Sequence, residues 1–154
     1  MRADGPTAAS SRTQPCGNRR VSLPPFFSER DGAIWLEDIE LKAVCDQLGT
    51  PTYVYSRAAI EAAMSSYIRA LGDHPGMICY AVKANSNLAV LQVLAKLGAG
   101  FDIVSGGELA RVLAAGGSAD RIVFSGVAKK PSEMRAALQA GIHCFNVESV
   151  AELQ

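Results

Sequence analysis

The residue of this chain that is best placed to do chemistry is Lys83, which lies near the end of the apolar run MICYAVKAN (Met77–Asn85). Read as a β-strand, the run alternates, so that Cys79, Ala81 and Lys83 share one face. Both faces are largely apolar, as in a parallel strand that helices cover on both sides. The pattern therefore predicts one charged side chain at the carboxyl end of a buried strand, where α/β folds bind their ligands.

Two interpretations of Lys83 follow from this pattern. In the first, the ammonium group simply reaches solvent at the end of a strand. In the second, partial desolvation makes the amine nucleophilic, and the lysine forms a Schiff base with a carbonyl compound. The elements that follow Lys83 have to decide between them, because a reactive lysine needs other groups held around it.

The composition fits one globular unit without a charged partner. The chain has 154 residues, 49% of them hydrophobic, and its 15 basic residues balance 15 acidic ones. This balance favours neither nucleic acid nor an anionic membrane as a partner, and no apolar run is long enough to span a bilayer. We expect a cytoplasmic protein whose ligand is a small molecule.

The four cysteines, Cys16, Cys45, Cys79 and Cys144, predict neither a metal site nor a disulfide framework. They are widely scattered, form no CxxC pair and have no histidine at ligand spacing. We expect Cys79 and Cys144 to be small buried residues in a reducing compartment. His74 lies in a turn, and we expect it at the surface.

Two segments precede the main part of the chain. Residues 1–24 are rich in Ser, Thr, Arg, Gly and Pro and show no periodicity, which predicts a disordered tail. Residues 25–57 form a leading segment for which the pattern predicts a strand, a helix and a second strand. These elements are expected at Ala33–Leu36, at 38–48 with Asp38 as the N-cap, and at Thr52–Tyr55. Ser56 is expected to cap the helix that follows.

In residues 58–154, strand and helix signals alternate. Apolar strands begin near Ile78, Phe101, Ile122 and Cys144, about 22 residues apart. The helices between them carry start signals: Asn87 as an N-cap, a capping box of Ser105 and Glu108, and Pro131 in a first turn. This is the pattern of consecutive βα units that build a parallel sheet.

An internal repeat favours one of the two folds that such units can form. FDIVSGGEL (Phe101–Leu109) matches FNVESVAEL (Phe145–Leu153), about 44 residues or two βα units later. Alternate strands of a (β/α)8 barrel point matching residues into one layer. The glycine fingerprints of nucleotide-binding sheets, GxGxxG and GxxxxGK[ST], do not occur. The sequence therefore predicts an α/β fold, the N-terminal half of a (β/α)8 barrel, within a longer protein.

The motifs YAVKAN, FDIVSGGEL, IVFSG and FNVES, in this order and spacing, resemble those of the pyridoxal-phosphate enzymes with an alanine-racemase-like barrel. Within that group, WLEDIEL and GTPTYVYSRAAIE resemble the leading segment of the diaminopimelate decarboxylases. The resemblance implies pyridoxal 5'-phosphate as the cofactor, decarboxylation of meso-2,6-diaminopimelate to L-lysine as the reaction, and a homodimer. It also implies a second β-domain, to which residues 25–57 would belong.

The resemblance assigns site residues by position. Lys83 matches the lysine that holds the cofactor as a Schiff base, and Asp102 matches an acidic residue near that lysine and the pyridine ring. Ala81 would line the barrel beneath the cofactor. Glu108 matches a glutamate that supports the site, and Ser125 is a weaker candidate for the pocket. From the residues alone, Asp102 is also a lone polar side chain in a strand, and the capping box already explains Glu108.

Four further polar residues are expected near the ends of later strands. Asn146 and Glu148 follow the last strand and are expected to face the mouth of the barrel. Lys129 and Lys130 are expected in a solvated loop.

Some parts that the resemblance implies have no match in these 154 residues. They are the histidine that stacks on the cofactor ring, the glycine-rich loop that holds its phosphate, and the glutamate that protonates its nitrogen. We therefore expect the isolated chain to be inactive and the reaction to belong to the parent protein. Two alternatives stay open: a related decarboxylase of ornithine, arginine or carboxynorspermidine, and a truncated fragment without catalysis.

Overall fold

The computed structural model describes residues 23–153. Residues 1–22, which make up almost all of the predicted tail, lie outside this range. The first described elements are three short strands that form an antiparallel sheet in the order β1-β2-β3. They are β1 (Phe27–Arg30), β2 (Ala33–Leu36) and β3 (Ile39–Glu40).

The sequence analysis predicted β2 but missed β1 and β3. A two-residue turn joins β1 to β2, and its residues, Asp31 and Gly32, have positive φ angles of 51° and 78°. Asp-Gly is frequent in such hairpin turns because both residues tolerate this backbone conformation. The turn signal was therefore present in the sequence, whereas β1, with three polar residues out of four, and β3, with two residues, show no hydrophobic period.

Two predictions for the leading segment were wrong. Helix α1 (Leu41–Leu48) begins after Glu40 without a side-chain cap, and the side chain of Asp38 is almost fully exposed. Residues 52–55 form no strand in the described part of the chain. β-branched and aromatic residues favour a strand only where a neighbouring strand can pair with them.

The remaining residues form the predicted alternation of strands and helices, which confirms the α/β class. The helices are α2 (Arg57–Leu71), α3 (Leu88–Lys96), α4 (Gly106–Ala114) and α5 (Pro131–Ala140). The strands are β4 (Cys79–Ala81), β5 (Gly100–Ile103), β6 (Ile122–Phe124) and β7 (Cys144–Phe145). Short 3-10 turns cover Val82–Ala84, Ala119–Arg121 and Val150–Leu153. The four strands are parallel and lie in the order β4-β5-β6-β7.

The predicted helix starts are mostly confirmed. Ser56 caps α2 by accepting a hydrogen bond from the Ala59 N–H at 2.9 Å. Asn87 caps α3 in the same way through the Ala89 N–H, also at 2.9 Å. Pro131 occupies the first turn of α5. These local signals succeed because the capping side chain and the N–H that donates to it lie within three residues of each other.

The two faces of the parallel sheet differ. On one face, Phe101, Ile103, Ile122 and Phe124 are fully buried in a single core with residues from helices α2 to α5. On the other face, Ala81, Asp102 and Val123 are half-buried and Cys144 is exposed.

The prediction that helices cover the strands on both sides, with Cys144 buried, was therefore wrong for the described residues. Successive right-handed crossovers place all four helices on the same side of the sheet. We call the uncovered side the open face. No helix within residues 23–153 is both long and apolar enough to cross a membrane.

Candidate active site

Lys83 lies after strand β4 and not within it. The strand ends at Ala81, and Lys83 is the central residue of the 3-10 turn Val82–Ala84. Val82 is fully buried and anchors this turn, whereas Lys83 is exposed. Among the described residues, the Lys83 ammonium group has no hydrogen-bond or ion-pair partner. The turn thus presents a free amine at the carboxyl edge of the sheet.

Three hydrogen bonds fix the segment that follows Lys83. The Tyr80 hydroxyl donates to the carbonyl of Asn85 at 3.3 Å, and the Asn85 side chain accepts from the Asn87 N–H at 3.0 Å. Asn87 then caps α3. Burial raises the pKa of the Tyr80 phenol, which keeps it protonated as a donor. The backbone on both sides of Lys83 is therefore held, while the amine itself is free to react.

Asp102 is the neighbour of Ala81 across strands β4 and β5, since the two are paired in the sheet register. Its Oδ1 atom is buried and has no hydrogen-bond partner among the described residues. Burial, and then the Asp102 carboxylate, raise the pKa of the Cys79 thiol on the same face. A buried carboxylate oxygen without a partner is costly, so a ligand that donates a hydrogen bond or carries positive charge fits this position.

Ser125 and Asn146 extend the open face beyond strands β6 and β7. The Ser125 N–H donates to the Ile103 carbonyl at 2.8 Å, and the Asn146 N–H donates to the Phe124 carbonyl at 3.0 Å. Each residue lies two positions after one on the open face, so both belong to that face. The Asn146 side-chain amide donates to the Ser125 hydroxyl at 2.9 Å. We call these two residues the Ser–Asn pair.

Glu108 forms only half of the predicted capping box. Its N–H donates to the Ser105 hydroxyl at 3.3 Å, as expected, but its carboxylate accepts from the N–H of Val104 at 2.8 Å and not from Ser105. Glu133 of α5 accepts from the Gly106 N–H at 2.9 Å. Two carboxylates thus occupy the beginning of α4, so this helix start is not available to bind a phosphate.

Lys129 departs most from the sequence analysis. It was expected in a solvated loop, yet its side chain is 1% exposed and forms an ion pair with Glu152. Its Nζ also donates to the carbonyls of Gly126 at 2.6 Å and Asn146 at 2.7 Å. Lys130, in contrast, is exposed as expected. No local signal distinguished the two lysines, because the acceptors of Lys129 include groups far along the chain.

The internal repeat is visible in the hydrogen bonds. The Glu152 carboxylate accepts from the N–H of Glu148 at 2.8 Å, as that of Glu108 does from Val104. The bond from Glu148, and then the one from Lys129, hold the pKa of Glu152 below its ordinary value. His74 is exposed in its turn, as the sequence predicted. Asn146 and Glu148 are exposed after β7, and their position at the mouth of a barrel stays a prediction.

The arrangement combines a free amine at the carboxyl edge of a parallel sheet with a carboxylate oxygen that lacks a partner and a polar pair, both on the uncovered side of that sheet. A free amine can hold a carbonyl compound covalently, and the carboxylate oxygen can accept a hydrogen bond. The fold and these groups are compatible with the class of proteins that carry a carbonyl cofactor on a lysine. Pyridoxal phosphate fits this donor and acceptor set, since it has an aldehyde and a ring nitrogen that can be protonated.

Comparison with known proteins agrees with this class. A model of the family described as pyridoxal-dependent decarboxylase, pyridoxal binding domain, matches residues 57–154. The diaminopimelate decarboxylase of Pseudomonas fluorescens is 62% identical over 127 residues, which are 82% of this chain and 30% of that protein.

Solved structures agree as well. A crystal structure of a protein from Aquifex aeolicus has a TM-score of 0.80 at 45% identity and covers 84% of this chain and 32% of its own. The diaminopimelate decarboxylase of M. jannaschii, solved in complex with L-lysine, has a TM-score of 0.78 at 35% identity, covering 84% of this chain and 31% of its own.

The chain spans about a third of the length of these relatives. Because the family model matches well over half of it, the chain belongs to the pyridoxal-dependent decarboxylases, with residues 57–154 in their pyridoxal-binding domain. The cofactor of this family is pyridoxal phosphate.

Proposed function

We propose that this chain supplies the lysine-bearing side of the cofactor site of a diaminopimelate decarboxylase, which converts meso-2,6-diaminopimelate to L-lysine. The site is supported by two observations: the Lys83 amine has no partner among the described residues and lies in the turn that follows Ala81, and Ala81 is paired in the sheet with Asp102, whose Oδ1 is buried without a partner. The substrate rests on the resemblance of the leading segment and on the 62% identity to the Pseudomonas fluorescens enzyme.

In this proposal each residue has a defined task. Lys83 binds the cofactor through its amine, and the hydrogen bonds around Asn85 keep that amine at the edge of the sheet. Asp102 accepts a hydrogen bond from the ligand that Lys83 holds. Ala81, small and on the open face, leaves room for that ligand. When bound, pyridoxal phosphate would supply the aromatic system that takes up the electron pair left on the substrate carbon when carbon dioxide departs.

In the proposal, Glu108 supports the site through the backbone, and Ser125 belongs to the polar pair on the open face. Glu108 holds the loop between β5 and α4 through Val104, and thereby the backbone that follows Asp102. Ser125 contributes its hydroxyl group to the open face as part of the Ser–Asn pair.

We also propose that residues 58–154 are four units of a (β/α)8 barrel, with residues 25–57 belonging to a second domain and the parent protein forming a homodimer. The open face would be the interior of the barrel. A groove of about 530 Å³ runs along β4 and is lined by Ile60, Met64 and Tyr67 of α2, which suits a further strand. The single layer of helices supports this arrangement.

The thiol of Cys144 can test the barrel. It is exposed in this chain, and it would face the interior of a closed barrel. We expect rapid modification of Cys144 by a thiol reagent in the 154-residue chain, and at least about tenfold slower modification once the chain is joined to the rest of a decarboxylase. Equal rates in a folded, joined protein would contradict the barrel.

The cofactor site is tested by adding pyridoxal phosphate to the 154-residue chain, reducing with borohydride and mapping the modified peptide. One adduct per chain, at Lys83, is expected, since its amine is free and the exposed Lys130 has no acceptor comparable to Asp102 nearby. Lys83→Ala is the negative control. Adducts spread over surface lysines in the wild-type chain would contradict the site.

The reaction is tested in a chimera in which this chain replaces the matching part of the Pseudomonas fluorescens enzyme. The expected result is release of carbon dioxide from meso-2,6-diaminopimelate that is lost with Lys83→Ala. Turnover of ornithine, arginine or carboxynorspermidine in preference would favour a related decarboxylase. A chimera that binds the cofactor as the Pseudomonas protein does but decarboxylates none of these would contradict the proposal.

A further inference from the structure

Lys129 uses all of its hydrogen-bonding capacity inside the protein. Its Nζ donates to the carbonyls of Gly126 at 2.6 Å and Asn146 at 2.7 Å and to the carboxylate of Glu152. An ammonium group has three hydrogens, so none is left for a ligand. The side chain is also closed off from solvent, with 1% exposure. Lys129 therefore acts on its neighbours and not on a substrate directly.

The three acceptors come from separate segments at one edge of the sheet. Gly126 follows β6, Asn146 follows β7, and Glu152 lies in the last 3-10 turn. Gly126 has a φ angle of 98°, which a residue with a side chain rarely adopts. In this conformation the Gly126 carbonyl accepts the hydrogen bond from Lys129. One buried ammonium thus fixes the carboxyl ends of two neighbouring strands relative to each other.

Asn146, whose main-chain carbonyl accepts a hydrogen bond from Lys129, also belongs to the open face. Asn146 donates through its side chain to the Ser125 hydroxyl at 2.9 Å. The remaining groups of the Ser–Asn pair are the amide oxygen and second amide hydrogen of Asn146 and the hydroxyl hydrogen of Ser125, and they have no partner among the described residues. They offer one acceptor and two donors on the same face as Asp102.

We propose that Lys129 is a positioning residue that directs the Ser–Asn pair towards the ligand held by Lys83. The pair would contact a hydroxyl or carbonyl group of that ligand. This inference rests on the proposed function, because the ligand is the pyridoxal phosphate bound to Lys83. The ion pair to Glu152 holds the ammonium group in place, and the hydrogen bond to the Asn146 carbonyl transmits its position to the side-chain amide.

The positioning role is tested first without any ligand, in the full 154-residue chain. The nuclear magnetic resonance signals of the Asn146 side-chain amide are compared between wild type, Lys129→Met, Lys129→Arg and the exposed control Lys130→Met. Arginine keeps the charge near Glu152 but cannot direct three hydrogens from one nitrogen, so this variant is expected to stay folded. Both Lys129 variants should shift the amide signals towards those of a solvated asparagine, and Lys130→Met should not.

The contact with the ligand is tested by a double-mutant cycle on the dissociation constant of pyridoxal phosphate. Asn146→Ala and Lys129→Arg should each weaken binding by about tenfold, the cost of about one lost hydrogen bond. If Lys129 acts through Asn146, the double variant should bind pyridoxal phosphate no more weakly than whichever single variant binds it more weakly. A purely structural role for Lys129 would lower the melting temperature without this coupling.

The outcomes separate the two proposals. Asn146 amide signals that do not change in Lys129→Arg would overturn the positioning role, whatever the cofactor does. Displaced amide signals with unchanged cofactor affinity in Asn146→Ala, or additive effects in the double variant, would overturn the contact between the Ser–Asn pair and the ligand. Failure of the wild-type chain to form an adduct at Lys83 would overturn the proposed function, and the amide signals would then decide the positioning role by themselves.

Discussion

Lys83 and Lys129 both follow a strand at the carboxyl edge of the same sheet, yet their surroundings are opposite. Lys83 is exposed and has no partner among the described residues, whereas Lys129 is buried and has three. Each lysine precedes one copy of the internal repeat, Phe101–Leu109 for Lys83 and Phe145–Leu153 for Lys129. We call each lysine together with its copy of the repeat a unit. The Lys83 unit contains Asp102 and Glu108, and the Lys129 unit contains Asn146 and Glu152 at the matching positions.

The difference teaches that the chemical role of a lysine is set by the acceptors that the next strand brings to it. In the Lys129 unit, a main-chain carbonyl and the repeat glutamate converge on the ammonium group. In the Lys83 unit, Glu108 makes the same main-chain contact as its counterpart but no contact with a lysine. The amine of Lys129 is therefore fully hydrogen-bonded within the protein, and the amine of Lys83 is available to a ligand.

The largest expected effect is a difference in stability between two equivalent substitutions. Lys129→Met removes one partner of a buried ion pair and should lower the free energy of unfolding by about 3–5 kcal/mol. Lys83→Met removes an exposed side chain without partners and should change it by about 0.5 kcal/mol or less. Urea titration of both variants measures the contrast, and equal losses would refute the distinction between the two lysines.

The repeat glutamates provide a second contrast. Glu108→Gln weakens the bond to the Val104 N–H and should cost about 1 kcal/mol. Glu152→Gln should cost more, because it also leaves the buried Lys129 ammonium without its counter-charge. Thermal unfolding of the two variants ranks them. A larger loss for Glu108→Gln would mean that the Lys129 ion pair contributes little.

Asp102 should show opposite effects on stability and binding. In the absence of ligand its buried Oδ1 has no partner in the described structure, so Asp102→Ala, which removes that oxygen, should raise the free energy of unfolding by about 1 kcal/mol. The same change removes the charge that the ligand needs and should weaken pyridoxal phosphate binding. Calorimetry gives the first quantity and titration the second, with Asp73→Ala on the exposed surface as the control.

The smallest expected effect is a local dependence on pH. The pKa of Glu152 is lowered in the folded chain from an ordinary value near 4.5. Such a group contributes stability that is present above its unfolded pKa and is lost as the pH falls through its folded pKa. Hydrogen exchange should therefore show that the Lys129 unit loses protection as the pH falls below about 4.5, and that Glu152→Gln reduces this dependence.

The sequence by itself determined the alternation of strands and helices and most helix starts. Ser56 and Asn87 cap their helices as expected, because each contact lies within one turn of chain. The repeat of Phe101–Leu109 in Phe145–Leu153 was visible as letters and reappears as identical main-chain contacts of the two glutamates. The pairing of Ala81 with Asp102 follows from the same alternation, since neighbouring parallel strands in register bring their ends together.

Only the tertiary structure decided which polar side chains are free to bind a ligand and which are hydrogen-bonded within the protein. Lys129 and Lys130 are adjacent and identical in type, yet one is buried because Asn146 and Glu152 reach it from far along the chain. The exposed Cys144 and the uncovered face of the sheet depend in the same way on where four successive helices are placed. Local sequence patterns do not predict such contacts, because burial and ion pairing depend on segments that meet only after folding.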